Sequence, residues 1–256
     1  MSILLVDIGN TRVKWVRFEK GQLSPQHTAP HAGWTAKDFS RNLFKSARGI
    51  ERVIVVSVAA AALERSLSLA SRQRCNVTPE FIKTQRRAAG VTTKYEEPWR
   101  LGVDRFIAAI GAHHLNPMRP VCVVGIGTAV TIDLIDSRGV HRGGAIIPGP
   151  DLMVASLLKD TNGIRRRAAG SRLVARVLFA RNTRAALEQG ARYAIAAAVD
   201  RAMAEAQKIL KRKPVLILTG GAAPAVRALI RTPHRFVPDL VLRGLAVAYD
   251  LHSFEP

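Results

Sequence analysis

One pattern occurs twice in this chain: an apolar run, a turn containing glycine, and a second run rich in strand-forming residues. The first copy is LLVDIGNTRVKWVRF, Leu4 to Phe18, and the second is VCVVGIGTAVTIDLID, Val121 to Asp136. Alternation of apolar and polar residues around Val13 and Trp15 indicates a hairpin in the first copy. Because a strand-turn-strand unit recurs in the second half of a 256-residue chain, the sequence predicts a duplicated, two-lobed fold.

The segment NPMRP, Asn116 to Pro120, separates the two halves. Its prolines end a helix predicted over Val103–His114, since proline cannot continue a helix. We therefore predict one lobe over residues 1–117 and a second over 118–256. Strands and helices alternate along the chain, which indicates an α/β fold. The sequence predicts a strand at Glu51–Val58, helices at Ala59–Ser71 and Asn182–Lys211, and loops at Gly143-Gly144 and Ile146–Pro150.

The composition and the amino terminus indicate where in the cell the protein is located. Hydrophobic residues make up 48% of the chain, but no apolar run approaches the roughly 20 residues that a membrane span needs. The amino terminus enters an apolar strand without the features of a secretory signal, which predicts a cytoplasmic protein. Cys75 and Cys122 are far apart and have no metal-ligand spacing, so the sequence predicts two reduced thiols.

The formal net charge of +20 would favour anionic partners. The basic residues occur in short scattered groups such as Arg165–Arg167 and Lys211–Lys213, and aromatic residues make up only 5% of the chain. Single-stranded nucleic-acid sites combine basic grooves with aromatic stacking platforms. The distribution therefore favours a solvated basic surface over a polynucleotide site.

The first glycine turn has the composition of a phosphate-binding segment. Asp7 follows a buried strand and can reach a Mg²⁺ ion directly or through water. Gly9 allows the backbone to approach a phosphate, and Asn10 and Thr11 add side-chain donors. The same residues are also common in ordinary turns, so this segment alone leaves both interpretations open.

The segment YEEPWRLGVDR, Tyr95 to Arg105, predicts a substrate loop before a helix. Asp104 can accept a hydroxyl proton during phosphoryl transfer, and Arg105 can bind a carboxylate with two hydrogen bonds. Both roles suit one small acid that carries an alcohol. The alternative is a helix cap at Asp104 and a surface ion pair at Arg105.

The second glycine turn, Gly125 to Asp133, offers Gly127 and Thr128 as a further phosphate contact. A Gly-Thr pair is commonly structural, and Asp133 at a strand end is more often solvated than bound to a metal. This turn therefore indicates a phosphate contact only in combination with the other motifs.

Seven motifs in order carry a resemblance to the type III pantothenate kinases, including the related Bvg accessory factor proteins. They are DIGNT, YEEPWRLGVDR, GTAVTID, GGAIIPG, RNT, LTGG and PDLVLRGL, and they span almost the whole chain. The sequence GVDR, Gly102 to Arg105, is the most discriminating of them. The chain is thus similar to this family along nearly its full length.

The resemblance implies a duplicated ribonuclease H-like fold of the actin-like ATPase superfamily, which includes acetate and sugar kinases, Hsp70 and actin. It implies a homodimer that uses ATP and Mg²⁺ to phosphorylate pantothenate to 4′-phosphopantothenate, the first step of coenzyme A biosynthesis, with no membrane or nucleic-acid partner. Thr183 then serves either its own site or that of a neighbouring protomer. The implied ATP ligands are Asp7, Ile8, Gly9, Asn10, Thr11, Arg12, Val13, Lys14 and Thr128, with Asp7 also holding Mg²⁺. The implied pantothenate ligands are Tyr95, Gly102, Val103, Asp104, Arg105 and Thr183, with Asp104 as the catalytic proton acceptor.

Gly125 departs from the pattern of the family, in which an aspartate at this position binds a monovalent cation. The need for K⁺ or NH₄⁺ is therefore open. We hypothesise that fixed positive charge, supplied by Lys14 in the phosphate segment, partly replaces the cation.

Three alternatives remain open. A kinase with another acceptor would share the fold and its glycine turns, although the GVDR loop argues against it. A ribonuclease H-like nucleic-acid-binding protein could use Asp7 and Asp133 as metal carboxylates, but acidic residues near the glycine turns are scarce for a two-metal site. A catalytically weak accessory or regulatory factor would fit the loss of a carboxylate at Gly125.

Overall fold

The computed structural model describes residues 2–45, 49–169 and 177–251. In chain order the strands are β1 (Ser2–Ile8), β2 (Arg12–Glu19), β3 (Gln22–Leu23), β4 (His27–Pro30), β5 (Ile50–Ser57), β6 (Glu80–Phe81), β7 (Arg87–Ala88), β8 (Val91–Thr93), β9 (Val121–Ile126), β10 (Ala129–Ile135), β11 (Val140–Pro148), β12 (Val215–Thr219) and β13 (His234–Phe236). The helices are α1 (Ala36–Asn42), α2 (Ala61–Cys75), α3 (Val103–Leu115), α4 (Pro150–Asp160), α5 (Asn162–Ala168), α6 (Thr183–Leu210), α7 (Ala223–Val226) and α8 (Leu240–Asp250). Two compact units form: unit 1 contains residues 1–118, 137–141 and 239–256, and unit 2 contains residues 119–136 and 142–238.

Unit 1 is built on a sheet with the strand order β3-β2-β1-β5-β6, to which β4 adds by pairing with β2. β1 runs antiparallel to β2 in the predicted hairpin and parallel to β5 on its other side. All seven residues of β1 are buried. A central strand covered on both faces is expected to be almost continuously apolar, and SILLVDI fits this except for Asp7.

Helices cover the two faces of β1, and the period of two along the strand assigns its side chains. Leu4, Val6 and Ile8 share a buried cluster with residues of α1 and α2. Ile3 is on the opposite face and pairs with Phe18, whose ring meets the Tyr249 ring of α8 edge-on at 6.2 Å. The same alternation puts Asp7 on the face of Ile3, away from α1 and α2.

Unit 2 repeats this arrangement in the part β11-β10-β9-β12-β13 of a seven-stranded sheet. β9 runs antiparallel to β10 in a hairpin and parallel to β12, as β1 does with β2 and β5. Its core forms between these strands, α6 and α7, and includes Val124, Val130 and Leu218. The duplication predicted from the two glycine turns is thus present in the topology of the two sheets.

The carboxyl-terminal helix α8 belongs to unit 1, where it packs on α3. A Cβ atom added at Gly244 would lie 2.0 Å from the carbonyl oxygen of Ile107, and one at Gly111 would lie 2.7 Å from that of Leu240. The two helix backbones therefore approach each other at paired glycines. The division of the chain into lobes of residues 1–117 and 118–256 stays a prediction. The sequence did not predict that α8 belongs to unit 1.

The prediction of a loop at Gly143-Gly144 was wrong, because strand β11 runs through both residues. Gly143 has φ of +121°, which only glycine adopts readily. β11 also has a mostly exposed burial pattern, so it lacks the apolar alternation by which strands are recognised. The loop predicted at Ile146–Pro150 was also wrong for most of its length, because β11 continues to Pro148 and α4 begins at Pro150. The predicted strand and the three predicted helices occur within a few residues of their expected bounds.

Candidate active site

Asp7 lies directly behind the glycine turn of the β1–β2 hairpin. The residue is 6% exposed, whereas Asn10 and Thr11 in the turn are exposed. Asp7 is paired in register with Lys14, and Asp7 Oδ2 lies 3.5 Å from Lys14 Nζ. The turn closes through a 3.0 Å hydrogen bond from the Gly9 N–H to the Arg12 carbonyl. A buried carboxylate therefore stands next to a turn whose tip is open to solvent.

The pKa of Asp7 is raised above its ordinary value. Burial is the main cause, because a charged carboxylate loses its hydration. Lys14 lowers this pKa, and the negative charge of Asp104 raises it. Asp7 and Asp104 are distant in sequence, so their electrostatic interaction shows that unit 1 brings the two predicted functional carboxylates together.

His31 was missed by sequence reasoning. It is 7% exposed, and its Nε2 lies 2.7 Å from the carbonyl oxygen of Gly9, to which it donates. Its backbone N–H also donates to the Thr11 carbonyl at 3.2 Å. His31 thus fixes two carbonyls of the glycine turn from just beyond β4. No local pattern marks this residue, because its role depends on the pairing of β4 with β2.

Asp104 and Arg105 lie in the first turn of α3, which begins at Val103 directly after Gly102. Asp104 Oδ1 accepts a hydrogen bond from the Arg105 backbone N–H at 2.9 Å. A Cβ atom at position 102 would lie 2.7 Å from this same oxygen, so a larger residue there would displace the Asp104 carboxylate. The GVDR motif therefore has a local steric explanation, and it presents Asp104 at a helix start while Arg105 is 7% exposed.

Tyr95 contacts Arg105 from the segment before the helix. Arg105 Nη1 lies 3.3 Å from the Tyr95 hydroxyl oxygen and donates to it. The Arg105 guanidinium carbon lies 6.0 Å from the centroid of the Tyr95 ring. The structure thus joins two residues that were both predicted to contact the acceptor.

The second glycine turn lies in unit 2, between β9 and β10. Gly127 N–H donates to the Ala129 carbonyl at 3.0 Å, and Gly149 N–H donates to the Thr128 carbonyl at 2.9 Å. A Cβ atom at Gly149 would lie 2.1 Å from the Gly127 carbonyl oxygen. The exposed residue Thr128 is therefore held in a tightly packed turn at the edge of this unit.

Thr183 is the first residue of the long helix α6 in unit 2. Asn182 caps this helix, and its Oδ1 accepts a hydrogen bond from the Ala185 N–H at 2.8 Å. The RNT motif thus includes a favoured N-cap residue. Thr183 is half-buried at the helix start.

The side chains of Ile8 and Val13 do not reach the surface of unit 1. Both are fully buried in the cluster beneath α1 and α2. Any contact of these two predicted ATP ligands with a nucleotide would therefore use the backbone.

The carboxylates of unit 1 fit a magnesium ion better than a transition metal. Mg²⁺ prefers oxygen ligands and is commonly held by one or two carboxylates together with substrate phosphates. Asp7 provides such an oxygen beside the glycine turn, and Asp104 carries a second carboxylate in the same unit. Within the described residues there is no group of three or more histidine, cysteine or acidic residues that could hold a metal by itself.

The architecture defines the class of the protein. A Baf family protein from Campylobacter jejuni superposes with a TM-score of 0.53 at 20% identity, covering 96% of this chain and 97% of its own. Component A of the (R)-2-hydroxyglutaryl-CoA dehydratase of Acidaminococcus fermentans superposes with a TM-score of 0.53 at 14% identity, covering 99% and 97%. With its two sheets of matching strand order, the chain has the duplicated ribonuclease H-like fold of the actin-like ATPases.

The family follows from the sequence comparisons. The profile of the type III pantothenate kinases matches residues 3–205. A type III pantothenate kinase from Herminiimonas arsenicoxydans is 38% identical over 251 residues, which cover 95% of each chain. The chain belongs to the type III pantothenate kinase family, which confirms the resemblance of its seven motifs.

Proposed function

We infer that the protein phosphorylates pantothenate with ATP, forming 4′-phosphopantothenate in the first step of coenzyme A biosynthesis. Membership of the family supports this activity. The observation that carries it in the structure is that Asp7 and Asp104 lie within electrostatic reach of each other in unit 1, because one carboxylate suits the metal and phosphates and the other suits the acceptor. Since ATP is its phosphoryl donor, we place the enzyme in the cytoplasm.

The β1–β2 hairpin is the proposed phosphate segment. The tip of its turn, Asn10 and Thr11, is exposed and presents backbone and short polar side chains to the phosphates of ATP. Asp7 would hold Mg²⁺ directly or through water, and that ion neutralises charge on the phosphates during transfer. Thr128 of unit 2 is proposed as a further ATP ligand.

Asp104 is the proposed catalytic residue. It would accept the proton of the pantothenate hydroxyl as that oxygen attacks the γ-phosphorus of ATP, while ADP leaves. Positioning matters more than basicity in such a loose transition state, and the fixed start of α3 provides it. Arg105 and Tyr95 would bind the pantothenate carboxylate, and Thr183 would complete the acceptor pocket.

Residue 125 does not fit a carboxylate-based site for a monovalent cation. Gly125 has no oxygen-bearing side chain, and a Cβ atom there would lie 2.9 Å from Thr131 Oγ1. We propose that Lys14, whose ammonium already lies beside Asp7, supplies positive charge at the phosphates instead. Dependence on K⁺ or NH₄⁺ is then expected to be weak.

One turnover assay tests these proposals. Formation of 4′-phosphopantothenate is measured for the wild type and Asp104→Asn over a titration of K⁺ or NH₄⁺, with a bulky organic cation as the control. We expect turnover by the wild type under all conditions and a loss of about 10²–10⁴-fold in kcat for Asp104→Asn, because general base catalysis is removed.

The outcomes separate the proposals. Absence of product from the wild type under every cation condition would refute the kinase assignment. Strong activation by K⁺ or NH₄⁺ would refute the role given to Lys14 but leave the activity in place.

A further inference from the structure

Tyr95 is held at four points within unit 1. Its backbone N–H donates to Thr93 Oγ1 at 3.2 Å, and its carbonyl accepts from Arg86 at 2.5 Å. Its ring packs against His141, and its hydroxyl accepts from Arg105. The half-buried Tyr95 is thus restrained at its backbone, its ring and its hydroxyl.

Arg86 holds the backbone of this segment. Besides the carbonyl of Tyr95, its guanidinium donates to the Glu96 carbonyl at 2.6 Å and to the Thr93 carbonyl at 3.4 Å. Hydrogen bonds from a charged donor are stronger than neutral ones, and the planar guanidinium can reach several acceptors at once. Arg86 therefore determines the path of the chain on both sides of Tyr95.

His141 holds the Tyr95 ring from the start of β11. The histidine is fully buried, and the two ring centroids lie 5.8 Å apart at an interplanar angle of 48°. The His141 carbonyl also accepts from the Lys94 N–H at 3.3 Å. Ring and backbone of His141 thus both contact the segment that contains Tyr95.

We propose that Arg86 and His141 are positioning residues for recognition of the acceptor. They fix Tyr95, and Tyr95 in turn orients the guanidinium of Arg105. The Tyr95 hydroxyl accepts from Arg105, so its own proton is available to an acceptor group of the substrate. This inference rests on the proposed function, in which Arg105 binds the carboxylate of pantothenate.

The neighbouring Arg87 offers a matched control. It is exposed like Arg86 and carries the same charge, but among the described residues its side chain makes no hydrogen bond or ion pair. Arg86→Met and Arg87→Met therefore remove the same charge and the same donors from adjacent positions. Only the first removes the three contacts with the segment around Tyr95.

The experiment measures kcat and KM for pantothenate and for ATP. We expect Arg86→Met to raise KM for pantothenate about 10-fold and to change KM for ATP less than twofold, while Arg87→Met matches the wild type. His141→Ala should have the same selective effect. His141→Phe, which keeps a planar ring beside Tyr95, should remain within threefold of the wild type.

The failure of this inference can be distinguished from that of the proposed function. A wild type that does not turn over pantothenate contradicts the proposed function itself. An active wild type whose Arg86→Met and Arg87→Met variants behave alike, or whose Arg86→Met and His141→Ala variants raise both KM values equally, overturns the positioning role. Misfolding of Arg86→Met, seen in its thermal unfolding, would leave the decision to the two His141 variants.

Discussion

Asp7 occupies an environment that disfavours its charged form. It lies one residue before the end of a fully buried strand, and the nearby charge of Asp104 adds to the cost of burial. Lys14 compensates only in part, since the net shift of the Asp7 pKa is upward. A carboxylate kept in this state is better explained by the binding of a cation than by stabilisation of the fold.

Replacement of Asp7 by asparagine should therefore stabilise the ligand-free protein at neutral pH. A raised pKa in the folded state means that the folded chain binds more protons than the unfolded chain between the two pKa values. Stability then falls as pH rises through this window. At pH 7 we expect Asp7→Asn to unfold at a temperature roughly 2–4 °C higher than the wild type, a shift that corresponds to about 1 kcal/mol. Thermal unfolding at several pH values measures this, and the difference should disappear at pH values where both states bind the proton.

Asp200→Asn serves as the control, because it should lower the stability of the protein at pH 7 whereas Asp7→Asn should raise it. Burial raises the pKa of Asp200, but hydrogen bonds from Thr232 and from the Arg231 backbone outweigh it, and the net pKa is lowered. Its charged form therefore stabilises the fold above the ordinary carboxyl pKa, and this contribution is lost as pH falls through the lowered value. If the two substitutions changed the unfolding temperature equally at pH 7, this would contradict the conclusion that the environment of Asp7 disfavours its charged form.

Substitution of His31 should change KM for ATP and leave KM for pantothenate unchanged. His31→Ala removes the 2.7 Å bond to the Gly9 carbonyl, and one hydrogen bond contributes about 0.5–1.5 kcal/mol. We expect KM for ATP to rise about 2- to 10-fold, with KM for pantothenate unchanged. His27→Ala, which removes an exposed ring of β4 that stacks on Trp15 rather than bonding to Gly9, serves as the control. Identical kinetics for the two variants would show that the bond to Gly9 does not position the turn.

At the scale of elements, the contact of α3 with α8 positions the catalytic segment. Asp104 and Arg105 lie in the first turn of α3, and the middle of this helix meets α8 at Gly111 and Gly244. Backbones can approach so closely only where neither helix has a Cβ atom. The PDLVLRGL motif is thus explained by helix packing as well as by resemblance.

Gly244→Ala should destabilise the protein, because its Cβ atom would lie 2.0 Å from the Ile107 carbonyl oxygen, a rigid backbone atom. Overpacking of this kind costs about 1–3 kcal/mol. Gly190→Ala in α6 is the control, since its Cβ atom would meet nothing within 4 Å, and alanine should add up to about 1 kcal/mol of helix stability. Denaturant unfolding measures both, and a neutral Gly244→Ala would refute the tight contact.

At the scale of the whole molecule, we propose that the enzyme is a homodimer. Unit 2 exposes large apolar side chains on β11, on α4 and before α6, which are Ile146, Leu152, Leu157, Leu178 and Phe179. Phe179 is 87% exposed. Exposed apolar side chains commonly mark a protein interface where they form one contiguous patch. No helix within the described residues is long and apolar enough to cross a membrane.

A mixing experiment tests both the dimer and the role of Thr183. If Thr183 serves the site of the neighbouring protomer, Asp104→Asn and Thr183→Ala subunits refolded together should recover about a quarter of wild-type activity, because half of the dimers have one intact site. Light scattering should give the mass of two chains. A monomeric mass would contradict the dimer, and a dimer without recovery would place Thr183 in the site of its own protomer.

The order of residues along the chain was sufficient to predict the two hairpins, the helices α2, α3 and α6, and the GVDR segment at the start of α3. These features depend on the period of apolar residues, on turn chemistry and on the space beside Gly102, all of which involve near neighbours in sequence. The tertiary structure decided what depends on distant residues: the charge interaction of Asp7 with Asp104, the hold of His31 on Gly9, and the packing of His141 on Tyr95. It also placed α8 in unit 1, because the absence of a Cβ atom at Gly244 matters only where another backbone comes close.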